Sequence, residues 1–387
     1  MAGYVFTLNN IDSLQYAGEK GIYSTNFKSI NNYWSKAQEG TFADFYSMRP
    51  GDNVYFFHKR MVYGIGEIKE INESCIFLNF PHADLPIKLE YKNIKKEMII
   101  KDSPENIKNR ILCTFTGAPS IFKKGVDMDE VLGSNPEAFR MLRALWKLSF
   151  IKIDDAENKA LFDIILKNNH SNMNDPSMKY HMDDSIHKSI AKKDVKKYKV
   201  DSLNMLSVAR SGSDITHEMA IEATIIDYIS RDTENNIFGH WDYISHQVIA
   251  SPFKPIDYMD KMDIFGYRFI ENYKTISEYL LIEVKKDRAE ESVINQAMKY
   301  VDWIEKEYSH DYSMIEAYIV AKDFDEDIIK SCKEKAKRYY TKGRNPAQSF
   351  IWNNLKLIKY QYNEETKLIV FTEIDYKIDF ISEKTTG

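Results

Sequence analysis

The sequence predicts an α/β multidomain chain, with a small β-barrel first, then a helical connector, then an α/β core with a mixed central sheet. The length is one indication, because 387 residues exceed one ordinary domain. A change of pattern is another: short strands separated by turn signals fill the first part, whereas helices and strands mix from residue 213 onward. We therefore expect parts at 1–125, 126–200 and 201–387.

Composition excludes several classes of protein. Hydrophobic residues make up 43% and charged residues 29%, which is typical of a globular chain. No apolar run approaches the ~18 residues of a membrane span, and the first residues lack a signal-type stretch, so we expect neither membrane insertion nor secretion. Three widely separated cysteines favour reduced thiols in the cytoplasm over disulfides or a zinc ribbon. The net charge of -5 argues against a nonspecific basic coat for nucleic acid, but not against an enzyme that acts on it.

The barrel prediction depends on several short segments rich in aromatic and β-branched residues. Turn chemistry separates them, most clearly in the run Arg-Pro-Gly-Asp at 49–52. Gly64 and Gly66, inside one segment, indicate a bend or a close approach of two backbones. The predicted strands are 4–8, 53–58, 61–68, 74–80 and 87–91.

Helical signals mark the connector. Ser134 and Glu137 have the spacing of a capping box and predict a helix after them. Asp154 or Asp155 caps a second predicted helix. Residues 187–199 contain six lysines and one aspartate, which is a basic linker or an ordinary solvated surface.

The last part reads as helix, three strands, helix, strand, helix and two strands. Its first helix begins near residue 216, and its last helix is predicted over 325–340. Such an order favours a mixed sheet with helices packed on it.

One group of residues in this part is a candidate catalytic site. Asp263 lies in an otherwise apolar strand, and the strand after it contains Glu283 and Lys285. Because alternate residues of a strand face the same way, Glu283 and Lys285 share one side, which Asp263 can reach from an adjacent antiparallel strand. The two carboxylates can hold Mg²⁺, and the lysine can orient or deprotonate water or stabilise charge on a phosphoryl group.

This arrangement resembles the PD-(D/E)xK nuclease superfamily over about residues 213–360. The run LLIEVKKDRAEESVINQAMKYVDWI is similar to the mismatch-type endonucleases of archaea and actinobacteria, in which a helix with Gln and Tyr four residues apart follows the strand. Gln296 and Tyr300 match that helix. The residue before Asp263 is Met262 and not the proline of the superfamily's name.

The resemblance also implies a further acid on the first helix of the core. Glu218 and Glu222 are one turn apart and both remain candidates, with Glu222 followed by the better apolar pattern. The other interpretation of the strand residues is a salt bridge between Glu283 and Lys285 at the end of the sheet.

The N-terminal run RPGDNVYFFHKRMVYGIGEI resembles PUA-like barrels, including the EVE and YTH modules, over about residues 1–120. Several such modules hold a flipped or modified base in an aromatic cage. The resemblance implies Trp34 and Tyr33 as stacking candidates and Asn32 or Ser24 as partners for a base edge. The alternative is that Trp34 is a half-buried core residue.

Two sets of basic residues are candidates for contacts to the DNA backbone. Arg140, Arg143 and Lys147 have the spacing of one helix face, and Lys192 and Lys193 belong to the lysine-rich segment. An ordinary polar surface is the alternative for both sets.

From these observations we expect a metal-dependent DNA endonuclease that uses Mg²⁺, with Mn²⁺ as a substitute. A base-reading barrel joined to such a core implies modification-dependent restriction. The alternatives are a repair endonuclease for mismatched or branched DNA, and a nucleic-acid-binding protein that no longer cuts. The expected partner is DNA, and a homodimer is expected because cutting both strands usually needs two active sites.

Overall fold

A computed structural model describes residues 1–29, 31–144, 149–231, 236–251 and 259–376. They form two compact units, one over Met1–Val208 and one over Ala209–Ser251 together with the residues from Asp260 onward. The sequence predicts three parts instead, with separate barrel and connector. Within the described residues no helix is long and apolar enough to cross a membrane.

The first unit mixes strands with short helices. Its strands are β1 (Gly3–Thr7), β2 (Ile22–Phe27), β3 (Asn53–His58), β4 (Met61–Ile68), β5 (Ile76–Leu78), β6 (Asn109–Gly117), β7 (Val126–Asp127) and β8 (Phe150–Ile153). Its helices are α1 (Ile11–Lys20), α2 (Lys36–Tyr46), α3 (Tyr91–Ile94), α4 (Met128–Ser134), α5 (Met141–Ala144), α6 (Asp155–Asn168), α7 (Ser185–Ala191), α8 (Val195–Tyr198) and α9 (Ser202–Val208).

The strands of the first unit form a curled half-barrel sheet with the order β2-β6-β4-β3-β1-β8. β1 runs parallel to β3, and the other neighbours along this path are antiparallel. Aromatic side chains fill the core, where the rings of Phe6 and Tyr23 stack with centroids 3.9 Å apart. Strand β8 comes from the segment that the sequence assigns to the connector, so this sheet extends past the predicted boundary at residue 125.

The two glycines of β4 lie where the backbones come close, as the sequence predicts. The register between β3 and β4 shifts here, with Gly66 opposite Val54 and Gly64 opposite Tyr55. A Cβ atom on Gly66 would lie 2.6 Å from Cγ2 of Val54, so only glycine fits without a shift of its neighbours.

Some predicted elements of the first unit are wrong. Residues 87–91 do not form a strand, and Tyr91 instead begins α3. Ser134 ends α4 rather than capping the next helix, because Asp127 accepts the N–H of Asp129 and starts the helix upstream. The predicted cap Asp154 is confirmed, since its side chain accepts two N–H groups at the start of α6.

The second unit carries the mixed sheet. Its strands are β9 (Arg210–Ser211), β10 (Asp214–Ile215), β11 (Tyr243–Ile249), β12 (Lys261–Phe269), β13 (Ile276–Arg288), β14 (Ile315–Asp323), β15 (Arg338–Lys342), β16 (Gln348–Trp352), β17 (Leu355–Asn363) and β18 (Leu368–Ile374). Its helices are α10 (Glu218–Ser230), α11 (Glu291–Ile304) and α12 (Glu326–Lys335).

Six strands form the main sheet of this unit in the order β11-β12-β13-β14-β17-β18. β13, β14 and β17 are parallel, and the outer pairs are antiparallel, which confirms a mixed sheet. The centre of β13 is a buried apolar run, as expected for a strand covered on both faces. Helix α11 connects β13 to its parallel neighbour β14.

The helix predicted over 325–340 is shorter than expected. It ends at Lys335, and Arg338–Lys342 forms strand β15, which pairs with β16 in a separate two-stranded ribbon. Tyr339 and Tyr340 favour a strand, and the Lys- and Glu-rich segment before them favours a helix. The sequence prediction extended the helical pattern too far.

Candidate functional site

The strand register brings Asp263 and Glu283 together. Ile264 of β12 pairs with Ile282 of β13 in antiparallel fashion, so the residues just beyond this pair lie side by side. The Asp263 carboxylate also reaches across the strand, because its Oδ2 accepts the N–H of Val284 at 2.8 Å.

Glu283 and Lys285 lie on the same side of β13, two residues apart. The Lys285 ammonium donates to Oε1 of Glu283 at 2.8 Å. Glu283 is 0% exposed, and its other oxygen, Oε2, is buried without a hydrogen-bond partner. The salt bridge considered as the other interpretation of the sequence therefore forms, but it satisfies only one of the two carboxylate oxygens.

The first helix of the unit adds a third acid. Glu222 on α10 is buried, and its Oε2 lies 2.9 Å from Nε2 of His246. The amide of Gln247 donates to the same oxygen at 2.9 Å and to Oδ1 of Asp263 at 3.0 Å. One glutamine side chain thus links Glu222 to Asp263.

His246 and Gln247 were missed in the sequence. They lie on β11, a strand that the sequence predicts correctly. Two adjacent polar residues in a short apolar strand were the signal that could have identified them as site residues. Gln247 also has a φ of 54°, which is uncommon for a residue other than glycine and points to a local constraint.

Asp263 and Glu283 are hard to ionise. Burial, followed by the charges of Glu222 and Glu283, raises the pKa of Asp263 well above its usual value. Burial also raises the pKa of Glu283 to about 7, against the opposing effect of Lys285. For Lys285, burial acts to lower the pKa, but the attraction of Glu283 and Asp263 outweighs it and leaves the pKa raised. Lys285 is therefore a cation at neutral pH.

The other predicted site residues lie around this cluster. Glu218, one turn before Glu222, accepts the N–H of Lys286 at 3.4 Å rather than joining the link to Asp263. Gln296 and Tyr300 lie on α11 as predicted, and the Gln296 amide lies 3.3 Å from the Tyr300 hydroxyl. Burial raises the pKa of Tyr300 to about 12, and the charges of Glu283 and Asp263 add to that rise.

The cluster fits a hard cation in its chemistry. Within the described part of the chain, no three His, Cys, Asp or Glu side chains form a ready-made ligand cluster. Mg²⁺, however, is usually held by one or two carboxylates, with waters and substrate phosphates as its other ligands. Asp263 and Glu283 supply two such groups, and the unpartnered Oε2 of Glu283 is an oxygen that a cation would satisfy.

The predicted aromatic cage is wrong for Trp34. Its side chain is 3% exposed, its Nε1 donates to the carbonyl of Asp84 at 2.8 Å, and it packs against Phe27 and Phe42. A ring held on all sides cannot stack on a base, so the alternative of a core residue is correct. Tyr33 and Asn32 are exposed beside it.

A cavity of about 690 Å³ lies elsewhere in the first unit and contains Ser24, one of the four predicted base contacts. Tyr16 of α1 and Tyr23 of β2 also line it, together with Arg110 and Asp102, which are joined by a 3.2 Å ion pair. Arg110 donates to the Ser24 hydroxyl at 3.3 Å, while its Nε is buried without a partner. Aromatic, cationic, carboxylate and hydroxyl side chains therefore line one polar cavity.

The predicted backbone contacts do not form continuous basic surfaces. Arg140 precedes α5, Arg143 lies within it and donates to a carbonyl, and Lys147 lies outside the described residues. The expected shared helix face is therefore absent between Arg140 and Arg143. Lys192 is exposed after α7, whereas Lys193 donates to the carbonyls of residues 96 and 97 and is largely occupied within the unit.

Comparisons with known proteins do not show a family for this chain. No protein family matches the chain, and no curated protein matches it. Among solved structures, the crystal structure of a repair endonuclease from Pyrococcus abyssi matches with 22% identity and a TM-score of 0.16. The match covers 21% of this chain and 32% of that chain, an extent that carries no argument about function. The case for a function therefore depends on the geometry of the site.

Proposed function

We propose that this chain is a Mg²⁺-dependent endonuclease that hydrolyses phosphodiester bonds of DNA, with its active site at Asp263, Glu283 and Lys285. The observation that carries the proposal is a pair of carboxylates beside a charged lysine, with Glu283 fully buried and one of its oxygens left without a partner. Folding alone gains little from such a cluster, because burying carboxylates close together is unfavourable. Metal-assisted phosphodiester hydrolysis uses groups of this kind, and their order along the chain resembles that of the PD-(D/E)xK nucleases.

Asp263 and Glu283 would hold the Mg²⁺, which when bound supplies positive charge to the scissile phosphate and its attacking water. Lys285 is a cation with N–H groups available to water or to a phosphate oxygen, so its role is to orient and to stabilise negative charge. The Gln247 amide holds Asp263 and Glu222 in fixed positions. Glu222 would act through this link and not by direct contact with the reacting atoms.

The test is cleavage of plasmid and linear duplexes that contain unmodified cytosine, 5-methylcytosine, 5-hydroxymethylcytosine or a mismatch. Wild type should cut with Mg²⁺ or Mn²⁺ and not in EDTA. Asp263→Asn and Lys285→Met should lose about a hundredfold or more in rate while still binding DNA. The matched controls Glu271→Gln and Lys274→Met change exposed residues between β12 and β13 and should cut normally.

Three outcomes would contradict the proposal: undiminished cleavage by Asp263→Asn, cleavage in EDTA, or DNA binding by wild type with no cleavage of any substrate. The last result would favour a binding protein that no longer cuts. Preference for mismatched over modified duplexes would favour the repair alternative.

We further propose that the first unit reads a modified or flipped base in the cavity next to α1, which makes the chain a modification-dependent restriction enzyme. The support is the combination of Tyr16, Ser24 and Arg110 around one space of suitable size. An exposed ring gives a stacking surface, and polar groups can contact the edge of a base.

Tyr16→Ala should weaken binding to the preferred modified duplex about tenfold and leave binding to the unmodified duplex unchanged. Tyr33→Ala tests the competing position, since Tyr33 is exposed but does not line the cavity. Tyr273→Ala, on the second unit, is the matched control. If Tyr33→Ala loses the preference and Tyr16→Ala keeps it, the cavity is not the reading site.

A further inference from the structure

Among the described residues of the second unit, the longest exposed run lies in the ribbon formed by β15 and β16 (338–352). Its two strands pair from Arg338 opposite Trp352 to Lys342 opposite Gln348. All residues over 341–351 are exposed. At about 3.4 Å per residue, each five-residue strand extends roughly 17 Å.

One face of the ribbon is fixed to the rest of the unit. The Arg338 guanidinium binds the Asp302 carboxylate with a shortest distance of 2.6 Å, and the Trp352 indole donates to a β14 carbonyl at 2.9 Å. Further along, the ring of Tyr340 contacts Tyr312 with centroids 5.5 Å apart. The root of the ribbon is therefore held in a defined orientation.

The opposite face is apolar and exposed. Tyr339 and Ile351 lie opposite each other on it, and they are 74% and 56% exposed. Thr341 and Ser349 form the next pair toward the tip. A cross-strand pair of large side chains in water is a surface that another molecule can cover.

The charge of the ribbon favours a polyanion. Residues 335–363 contain no Asp or Glu, although the whole chain has 58 of them. Some basic residues here are neutralised, as Arg338 is by Asp302 and Lys342 by Asp311. Arg344 at the tip makes no ion pair among the described residues, and Asn345 and Gln348 beside it offer amide donors and acceptors. Nothing acidic on the ribbon would repel a phosphate.

We propose that this ribbon is an arm that lies in a groove of duplex DNA, a proposal that rests on the proposed nuclease function. A two-stranded ribbon, with strands about 4.8 Å apart, fits a major groove about 12 Å wide. Arg344 contacts phosphate or a base edge, and Tyr339 with Ile351 packs on sugars and bases.

The arm is also tied to the candidate active site through one helix. Asp302, which holds Arg338, lies on α11 two residues after Tyr300, whose pKa responds to Glu283 and Asp263. The Arg338 guanidinium also donates to the carbonyl of Met298 on this helix at 3.4 Å. Duplex held by the ribbon would thus be positioned by the helix that borders the site.

The experiment measures the Kd of the full chain for a fluorescent 30-base-pair duplex in EDTA, over a series of salt concentrations. Tyr339→Ala with Arg344→Ala should bind about 10- to 100-fold more weakly, with a lower salt dependence because a phosphate contact is lost. The matched control is Tyr273→Ala with Lys274→Ala, which removes an adjacent exposed aromatic and cation from the β12–β13 turn. It should bind within about twofold of wild type, and both variants should keep the wild-type Tm.

The arm proposal is overturned if the ribbon variant and wild type bind the duplex equally well. The nuclease proposal is decided separately, by Mg²⁺-dependent cleavage. If wild type binds the duplex but never cuts it, the nuclease proposal is refuted, and the arm proposal is then decided by comparing the Kd of the ribbon variant with that of wild type. Wild type that binds no duplex overturns both. Light scattering measures the oligomeric state of both proteins. If the ribbon variant no longer forms dimers but binds DNA as wild type does, the exposed face is an interface between copies and the arm proposal is refuted.

Discussion

Replacing Glu283 by glutamine should stabilise the protein when divalent cations are absent. The side chain is 0% exposed, and burial raises its pKa from 4.5 to about 7. A tenfold change in acid dissociation corresponds to about 1.4 kcal/mol, so ionising this group costs the folded state at most about 3 kcal/mol. That pKa already includes the attraction of Lys285, so Glu283→Gln should gain up to about 3 kcal/mol.

The way in which stability changes with pH follows from the difference between the folded and unfolded pKa of Glu283. Because the folded pKa lies above the unfolded one, the penalty is absent below about pH 4.5, grows as the pH rises, and is complete above about pH 7. Wild type should therefore lose stability over this range in EDTA, and Glu283→Gln should lose less. At roughly 2–4 °C per kcal/mol, the Tm of the variant at pH 8 should exceed that of wild type by several degrees.

Magnesium should narrow this difference. If Mg²⁺ binds wild type with a Kd near 1 mM, 10 mM stabilises the folded state by about 1.4 kcal/mol, and Glu283→Gln should gain much less. Calorimetry at pH 5 and pH 8, with EDTA or Mg²⁺, measures all four conditions. Glu271→Gln is the control, since Glu271 is exposed in the turn between β12 and β13. The reasoning is refuted if wild type has the same Tm at both pH values in EDTA and the variant never exceeds it.

Two further predictions concern other buried groups. Gln247→Leu removes the amide that bridges two acids, so the Mg²⁺ concentration needed for half-maximal cleavage should rise about 10- to 100-fold; an unchanged requirement would mean the bridge is incidental. Lys152→Met should stabilise the first unit at pH 7 by up to about 3 kcal/mol, because burial lowers the pKa of Lys152 from 10.5 to about 8. This advantage should vanish above pH 10.5, where lysine is neutral in both states, and calorimetry at pH 7 and pH 10.5 tests it.

The proximity of Asp263, Glu283 and Lys285 could be predicted because these residues obey strand periodicity. Alternation places Glu283 and Lys285 on one side, and an apolar strand that contains Asp263 signals an unusual environment. The choice between Glu218 and Glu222 could not be made, since one helical turn separates them and the deciding contacts come from β11, a strand with no fixed spacing from α10. Those contacts depend on tertiary structure and are not encoded in local spacing.

Helices α1 and α2 are missing from the sequence prediction, which assigns no element between the first two predicted strands of the first unit. Asn10 and Ser13 belong to a cap, where the Asn10 side chain accepts the N–H of Ser13 at 2.8 Å and starts α1. With this helix and α2 in place, Trp34 becomes part of a core and not the wall of a pocket. A local sequence pattern cannot distinguish these outcomes, because burial of an aromatic ring depends on elements distant in sequence.

A buried acid is not by itself a sign of function, as Glu157 on α6 demonstrates. It is 0% exposed, its pKa is raised to about 8 by burial and by Asp154, and its Oε2 also lacks a partner. Its Oε1, however, accepts the backbone N–H groups of Arg140 and Leu142 at 2.6 and 3.1 Å, which otherwise would need other partners.

Glu157 thus supports a loop, whereas no described backbone amide donates to Glu283, whose only described donor is Lys285. Around Glu283 the neighbours are instead acids and a cation: Asp263 and Glu222 on adjacent elements, with Lys285 on the same strand. A buried carboxylate beside other acids, with no amide donor of its own, destabilises a fold, and a divalent cation removes that penalty. The difference between these two buried glutamates is therefore the physical reason to place the chemistry at Glu283.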